Sequence, residues 1–221
     1  MIIDTSMGIC TDRYDDDVVA ALAQARRRRT STRPIAFYGS SSFRFWRSLA
    51  ADLGRLDVVN LGFGGGTFAS GIHYLETLLL PFSPHRIVLY FGENDISNDG
   101  LSAEATLRHL VELIARIRRA LPEAGIYLLA AKQSPAKWIY ADTVDAFNTL
   151  ACARCKELGV VFIDGCSLLL GETGRPMFRY FEPDLIHLNA SGYARWAALL
   201  SEVLGAPSGG ARLEDAPATG D

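Results

Sequence analysis

The chain has 221 residues, 49% of them hydrophobic, which is enough to bury one sizeable core without requiring a second domain. Basic residues number 22 and acidic residues 25, so a net charge of −3 exerts no general pull on nucleic acid or an anionic membrane, and the expected partner is a small molecule. No apolar run reaches the ~18 residues of a membrane span, and the N-terminus lacks the basic-then-apolar order of a signal peptide, so a cytoplasmic location is expected.

Residues 1–13 show no clear period and read as a loose lead-in. A helical pattern follows over 14–29, with Asp15, Asp16 and Asp17 in the first turn and Arg26 to Arg29 in the last, complementing the helix dipole at both ends. The arginine run is therefore explained as a solvated helix end rather than a nucleic-acid patch. Residues 1–33 form this lead-in and helix, 34–205 the main domain, and 206–221, rich in Ala, Gly, Pro and acids, a disordered tail.

The first strand runs from Ile35 into Gly39-Ser40-Ser41-Ser42, followed by Phe43, Trp46, Leu49, Ala50 and Leu53 at helical spacing. Residues 56–61 read as a second strand, ending in Gly62-Phe63-Gly64-Gly65-Gly66-Thr67, with a helix near 69–80 after it. Residues 86–91 are the clearest strand and run into Gly92-Glu93-Asn94-Asp95. Helices over 103–121, 140–158 and 190–204 and strands over 125–131 and 160–163 complete the pattern. Cys152 and Cys155 are the only close cysteine pair; with no second pair or nearby histidine for a zinc site, they read as core or helix-face thiols.

Five short apolar strands alternating with helices predict an α/β fold: a three-layer α/β/α sandwich around a flavodoxin-like five-stranded parallel sheet of order 2-1-3-4-5. Under that order the loops after the first three strands converge at one sheet edge, bringing together the serine turn, the glycine loop and Asn94. A serine at a helix N-terminus is an ordinary turn or cap residue taken alone. Acyl transfer, however, needs a nucleophile, oxyanion donors and a base, and a loop glycine N–H, an asparagine amide and the serine's own N–H can supply the donors. Among the four histidines, His73, His85 and His109 fall in or beside predicted helices and strands, whereas His187 lies in a loop three residues after Asp184. An aspartate bonded to one ring nitrogen fixes the tautomer and leaves the other nitrogen free to take a serine proton.

With these residues in place, the chain resembles the SGNH subgroup of the GDSL hydrolases. Its blocks are matched in order by Gly39-Ser40-Ser41, by Asn60-Leu61-Gly62-Phe63-Gly64-Gly65, by Gly92-Glu93-Asn94-Asp95 and by Asp184-Leu185-Ile186-His187. The resemblance covers 35–200 and implies Ser41 as nucleophile, Gly65 and Asn94 with the Ser41 N–H as oxyanion donors, His187 as base and Asp184 as its orienting acid. It departs from the family at Ser40, where an aspartate is usual, and it leaves Ser42 as the neighbouring alternative nucleophile and Gly64 as the alternative donor. The implied activity is hydrolysis of a small-molecule carboxylic ester through an acyl-enzyme, with no cofactor or metal. Short acyl or acetyl esters are favoured because no lid or long apolar surface segment is seen, and Phe68, Trp138, Tyr140, Phe178, Tyr180 and Phe181 are candidate pocket residues. Two other readings differ in class: a catalytically silent binding protein of the same fold, and a dinucleotide-binding module on the 62–67 glycines. The latter has Thr67 where a third glycine is needed and no acid at the end of a following strand. Oligomeric state is not legible.

Overall fold

In the computed structural model, which describes residues 14–27 and 33–205, the strands are short and mostly apolar, and helices cover both faces of their sheet. Strands β1 (Ile35–Gly39), β2 (Val58–Gly62), β3 (Arg86–Tyr90), β4 (Gly125–Leu129) and β5 (Val161–Ile163) form one parallel sheet of order β2-β1-β3-β4-β5, the predicted order. Alternate side chains of the buried strands enter opposite cores, as a two-residue period requires. Ala36, Tyr38, Ile87 and Leu89 pack on one face with helices α1 (Asp15–Arg27), α4 (Phe68–His73), α6 (Ala103–Ala120) and α7 (Ala141–Glu157). Ile35, Phe37, Val88 and Tyr90 pack on the other with α2 (Ser41–Arg44), α3 (Leu49–Asp52) and α8 (Ala190–Leu204). A further short helix, α5 (Glu93–Ser97), follows β3.

Two predicted helices are broken. The segment after β1 forms α2 and α3 rather than one helix, because Asp52 is drawn back to bond Trp46 Nε1 and Ser48 Oγ, each at 2.7 Å, while the Trp46 ring is fully buried. These side-chain bonds offer the chain an alternative to a continuous helical ladder. The segment expected as a helix over 69–80 is α-helical only to His73, then passes through a π-helical turn, Leu75–Leu79, and a 3₁₀ turn, Leu80–Phe82, that contains Pro81. The lead-in over 1–13, the helix end at 28–29 and the tail over 206–221 lie outside the described residues. Among the described residues no helix is long and apolar enough to cross a membrane.

Register decides where the functional loops meet. Gly39 pairs with Gly62 of β2 and with Tyr90 of β3, so three strands end level at one edge. Gly62 also lets α2 lie directly on β2: a Cβ there would fall 2.3 Å from the Arg44 backbone nitrogen and 2.7 Å from the Phe43 carbonyl carbon.

Candidate active site

Ser41 is the first residue of α2, set at the end of β1 by the hydrogen bond from Ser40 N–H to Tyr90 O (3.0 Å). Ser40 occupies the N-cap position but makes no side-chain capping bond, so the cap explanation for this serine turn does not hold. Ser42 is buried, 1% exposed. Of the two candidate nucleophiles, only Ser41 meets an imidazole: His187 Nε2 lies 2.9 Å from Ser41 Oγ.

His187 is held from its other side. Its Nδ1 lies 2.6 Å from Asp184 Oδ2, and Asp184 Oδ1 accepts the backbone N–H groups of Ile186 and His187, both at 2.9 Å. Leu185 adopts a left-handed conformation (φ 57°), which folds the loop tightly enough for one carboxylate to make all three contacts. Partial burial opposes the charge on Asp184, but hydrogen bonds from the His187 ring and the two backbone amides outweigh it and hold the carboxyl down to about 2. The Phe45 ring meets the imidazole edge-on at 4.6 Å between centroids. Beside His187 opens a cleft of about 450 Å³, with buried Leu188 and Tyr193 in its lining and exposed Arg47, Ser48 and Glu182 at its mouth.

The glycine loop and Asn94 are joined directly, Asn94 Nδ2 donating to Gly66 O at 3.1 Å. The amide orientation follows from its other partner, since Lys137 Nζ lies 3.0 Å from Asn94 Oδ1 and an ammonium can only donate. Lys137 also reaches Asn98 Oδ1 at 3.3 Å; burial lowers its pKa, and the Glu93 charge opposes that shift. The Gly64 N–H is occupied by Asp17 Oδ2 at 2.8 Å, whereas Gly65 adopts φ 68°. The alternative donor at Gly64 is thereby committed elsewhere.

Behind these loops sits a buried polar network. Lys132 Nζ bonds Glu93 Oε2, Ser134 Oγ donates to Glu93 Oε1 at 2.9 Å, and the Tyr90 hydroxyl reaches Glu93 Oε2 at 3.3 Å. Burial alone would raise the Glu93 pKa, but Lys132 and Lys137, with the hydrogen bonds, hold it below the usual carboxylate value. Asp95, fully buried, accepts from Phe68 N–H and Gly92 N–H, both at 3.0 Å, tying the second loop to the third. Desolvation raises its pKa.

The remaining candidates separate by burial. Phe68, Tyr180 and Phe181 are core residues, Trp138 carries the Arg175 guanidinium over its ring at 5.4 Å, and Tyr140 and Phe178 are exposed. His85 Nδ1 bonds Arg33 O at 2.6 Å, His73 packs edge-on against Tyr74, and His109 Nδ1 sits 4.0 Å from Asp95. Burial pushes the Cys155 and Cys166 thiols up to about 11, as core thiols require. Among the described residues no group of three or more His, Cys, Asp or Glu could hold a metal ion.

A family model for GDSL-like lipases and acylhydrolases matches residues 30–195, three quarters of the chain and all of the site. The chain belongs to that family. Solved structures of GDSL proteins share the fold at low identity. A GDSL-like lipase from Bacteroides thetaiotaomicron aligns with a TM-score of 0.69 and 16% identity over 88% of this chain and 97% of its own. The lipase/acylhydrolase from Enterococcus faecalis gives 0.63 and 20% over 78% and 95%. An acetylxylan esterase from Geobacillus stearothermophilus, solved as catalytic mutants that replace a histidine or a serine by alanine, gives 0.66 and 14% over 81% and 97% in the histidine mutant. No curated protein matched the sequence significantly. Membership in the GDSL family makes this chain a hydrolase of the acylhydrolase type.

Sequence reasoning missed Asp17, Phe45, Lys137 and the Glu93–Lys132 pair. Asp17 was legible as a first-turn acid and explained by the helix dipole; only the folded chain shows that it bonds another loop.

Proposed function

We propose that the protein is a serine esterase that cleaves short acyl esters through an acyl-enzyme. The observation that carries this reading is the continuous hydrogen-bonded line from Asp184 through His187 to Ser41 Oγ. Ser41 Oγ attacks the ester carbonyl carbon while His187 Nε2 accepts the hydroxyl proton and Asp184 stabilises the resulting imidazolium. The oxyanion is met by the Ser41 N–H, the Gly65 N–H and the second hydrogen of Asn94 Nδ2, the first being engaged by Gly66. Collapse of the tetrahedral species breaks the C–O bond, and His187 returns the proton to the leaving alcohol. Water, deprotonated by His187, then releases the acid and restores Ser41.

The cleft beside His187 mixes buried apolar residues with a charged mouth, which suits a polar alcohol better than a long acyl chain. With the acetylxylan esterase among the structural neighbours, this favours acetyl groups carried on a carbohydrate. A chain-length series of p-nitrophenyl esters tests the reading, with Ser41→Ala and Ser42→Ala alongside wild type. Wild type and Ser42→Ala should prefer acetate and Ser41→Ala should be inactive. Inert wild type would leave a silent binding protein of this fold, and a Ser42→Ala variant as dead as Ser41→Ala would overturn the assignment.

A further inference from the structure

Helix α1 lies before the family match, which begins at residue 30, yet one of its side chains and that of the residue just before it reach the loop that carries the proposed oxyanion donor. Asp17 Oδ2 accepts the Gly64 N–H at 2.8 Å, and its Oδ1 pairs with Arg44 Nη2 at 2.7 Å, at the end of the helix that begins with Ser41. One residue before α1, Tyr14 donates its hydroxyl to Gly65 O at 3.2 Å and sets its ring edge-on against Phe63 at 5.7 Å. The peptide group carrying the Gly64 N–H and the one carrying the Gly65 carbonyl are thus both fixed. Between them lies the single peptide group that presents the Gly65 N–H. The approach is possible only against glycine, because a Cβ on Gly64 would fall 2.3 Å from Asp17 Oδ2 and 2.9 Å from Arg44 Nη1. On the far side the Gly66 carbonyl is held by Asn94, so the loop is gripped from both ends.

We infer that α1 and the residue leading into it form a positioning clamp: Asp17 and Tyr14 hold the Gly64–Gly65 peptide at the angle the oxyanion requires, and Asp17 ties that peptide through Arg44 to the nucleophile helix. The inference rests on the esterase reading. Neither residue touches the reacting atoms. The charge-assisted bond to a backbone N–H carries the restraint; the Asp17–Arg44 ion pair, with side chains 26% and 43% exposed, is screened by solvent and adds less.

A displaced donor costs transition-state stabilisation and leaves substrate binding nearly unchanged. Asp17→Ala should therefore lower kcat by about 10- to 100-fold with KM within about twofold of wild type. Asp17→Asn keeps an oxygen acceptor for Gly64 and should recover most of that loss. Asp16→Ala, an exposed neighbour on the same turn, should match wild type. Thermal melts give the folded fraction, so a fall in activity that merely tracks unfolding overturns the clamp, as does an Asp17→Ala enzyme with wild-type kcat. A second readout does not depend on turnover: the Gly64 amide, whose hydrogen Asp17 accepts, should exchange with solvent faster in Asp17→Ala than in wild type. Unchanged exchange overturns the clamp. Faster exchange in a protein whose wild type hydrolyses no ester keeps the clamp on the loop and sinks the esterase reading instead.

Discussion

Asn94 has its orientation fixed from both ends of the amide, its oxygen by Lys137 and one amide hydrogen by Gly66. Asn94→Ala should reduce kcat on the order of 10²-fold, the usual effect of losing one oxyanion donor, and steady-state kinetics would show it. Lys137→Met should give a smaller loss of the same kind, in kcat rather than KM, because the amide would then lose the ammonium on its oxygen while Gly66 still holds its nitrogen. An imidazolium cannot accept the Ser41 proton, so kcat/KM should fall on acidification with a single acid limb. Asp184, held down to about 2, is ionised well below neutral pH. A rate that stays flat on acidification while the protein remains folded would remove His187 from the base role. Ser41, His187 and Asp184 were legible because each sits in a short motif at the end of a readable element. Lys137 was not, because its meeting with Asn94 spans 43 positions and leaves no local pattern.

The elements behind the site explain why short loops can hold it. Glu93 opens α5 and is neutralised by Lys132, 39 positions away, with both side chains almost fully buried. Glu93→Gln leaves the Lys132 charge uncompensated and should cost about 3 to 5 kcal/mol at neutral pH, measurable by denaturant unfolding. The Glu93 pKa is lowered in the fold, so its contribution is complete above the ordinary carboxylate value of about 4.3 and is lost as pH falls through the lowered value. The deficit of Glu93→Gln relative to wild type should therefore shrink on acidification. At this scale sequence was a fair guide to strands, whose continuous apolar runs reflect burial on both faces, and a poorer one to helices. The apolar spacing from Phe43 to Leu53 reports which side chains face the core, but it cannot show that Asp52 turns back to Trp46 and interrupts the helix.

For the molecule as a whole, the site is a product of sheet order and register. The order β2-β1-β3-β4-β5 follows from the alternation of strands and helices together with a common topology, and it places the serine strand between the strands that lead to the glycine loop and to Asn94. Register could not be read, because it depends on the close approach that Gly39 and Gly62 permit. Gly62→Ala would drive a Cβ into the backbone of α2 and should cost about 1 to 3 kcal/mol, with a loss of activity beyond the loss of folded protein as Ser41 shifts against His187; melts and kinetics on the same sample separate the two. The central claim is that Ser41 alone is the nucleophile. Labelling with a fluorophosphonate probe, followed by peptide mass spectrometry, tests it most directly. The expected result is one adduct, on Ser41, absent from Ser41→Ala and slowed in His187→Ala; an adduct on Ser42, or no adduct in a wild type that hydrolyses esters, would contradict it.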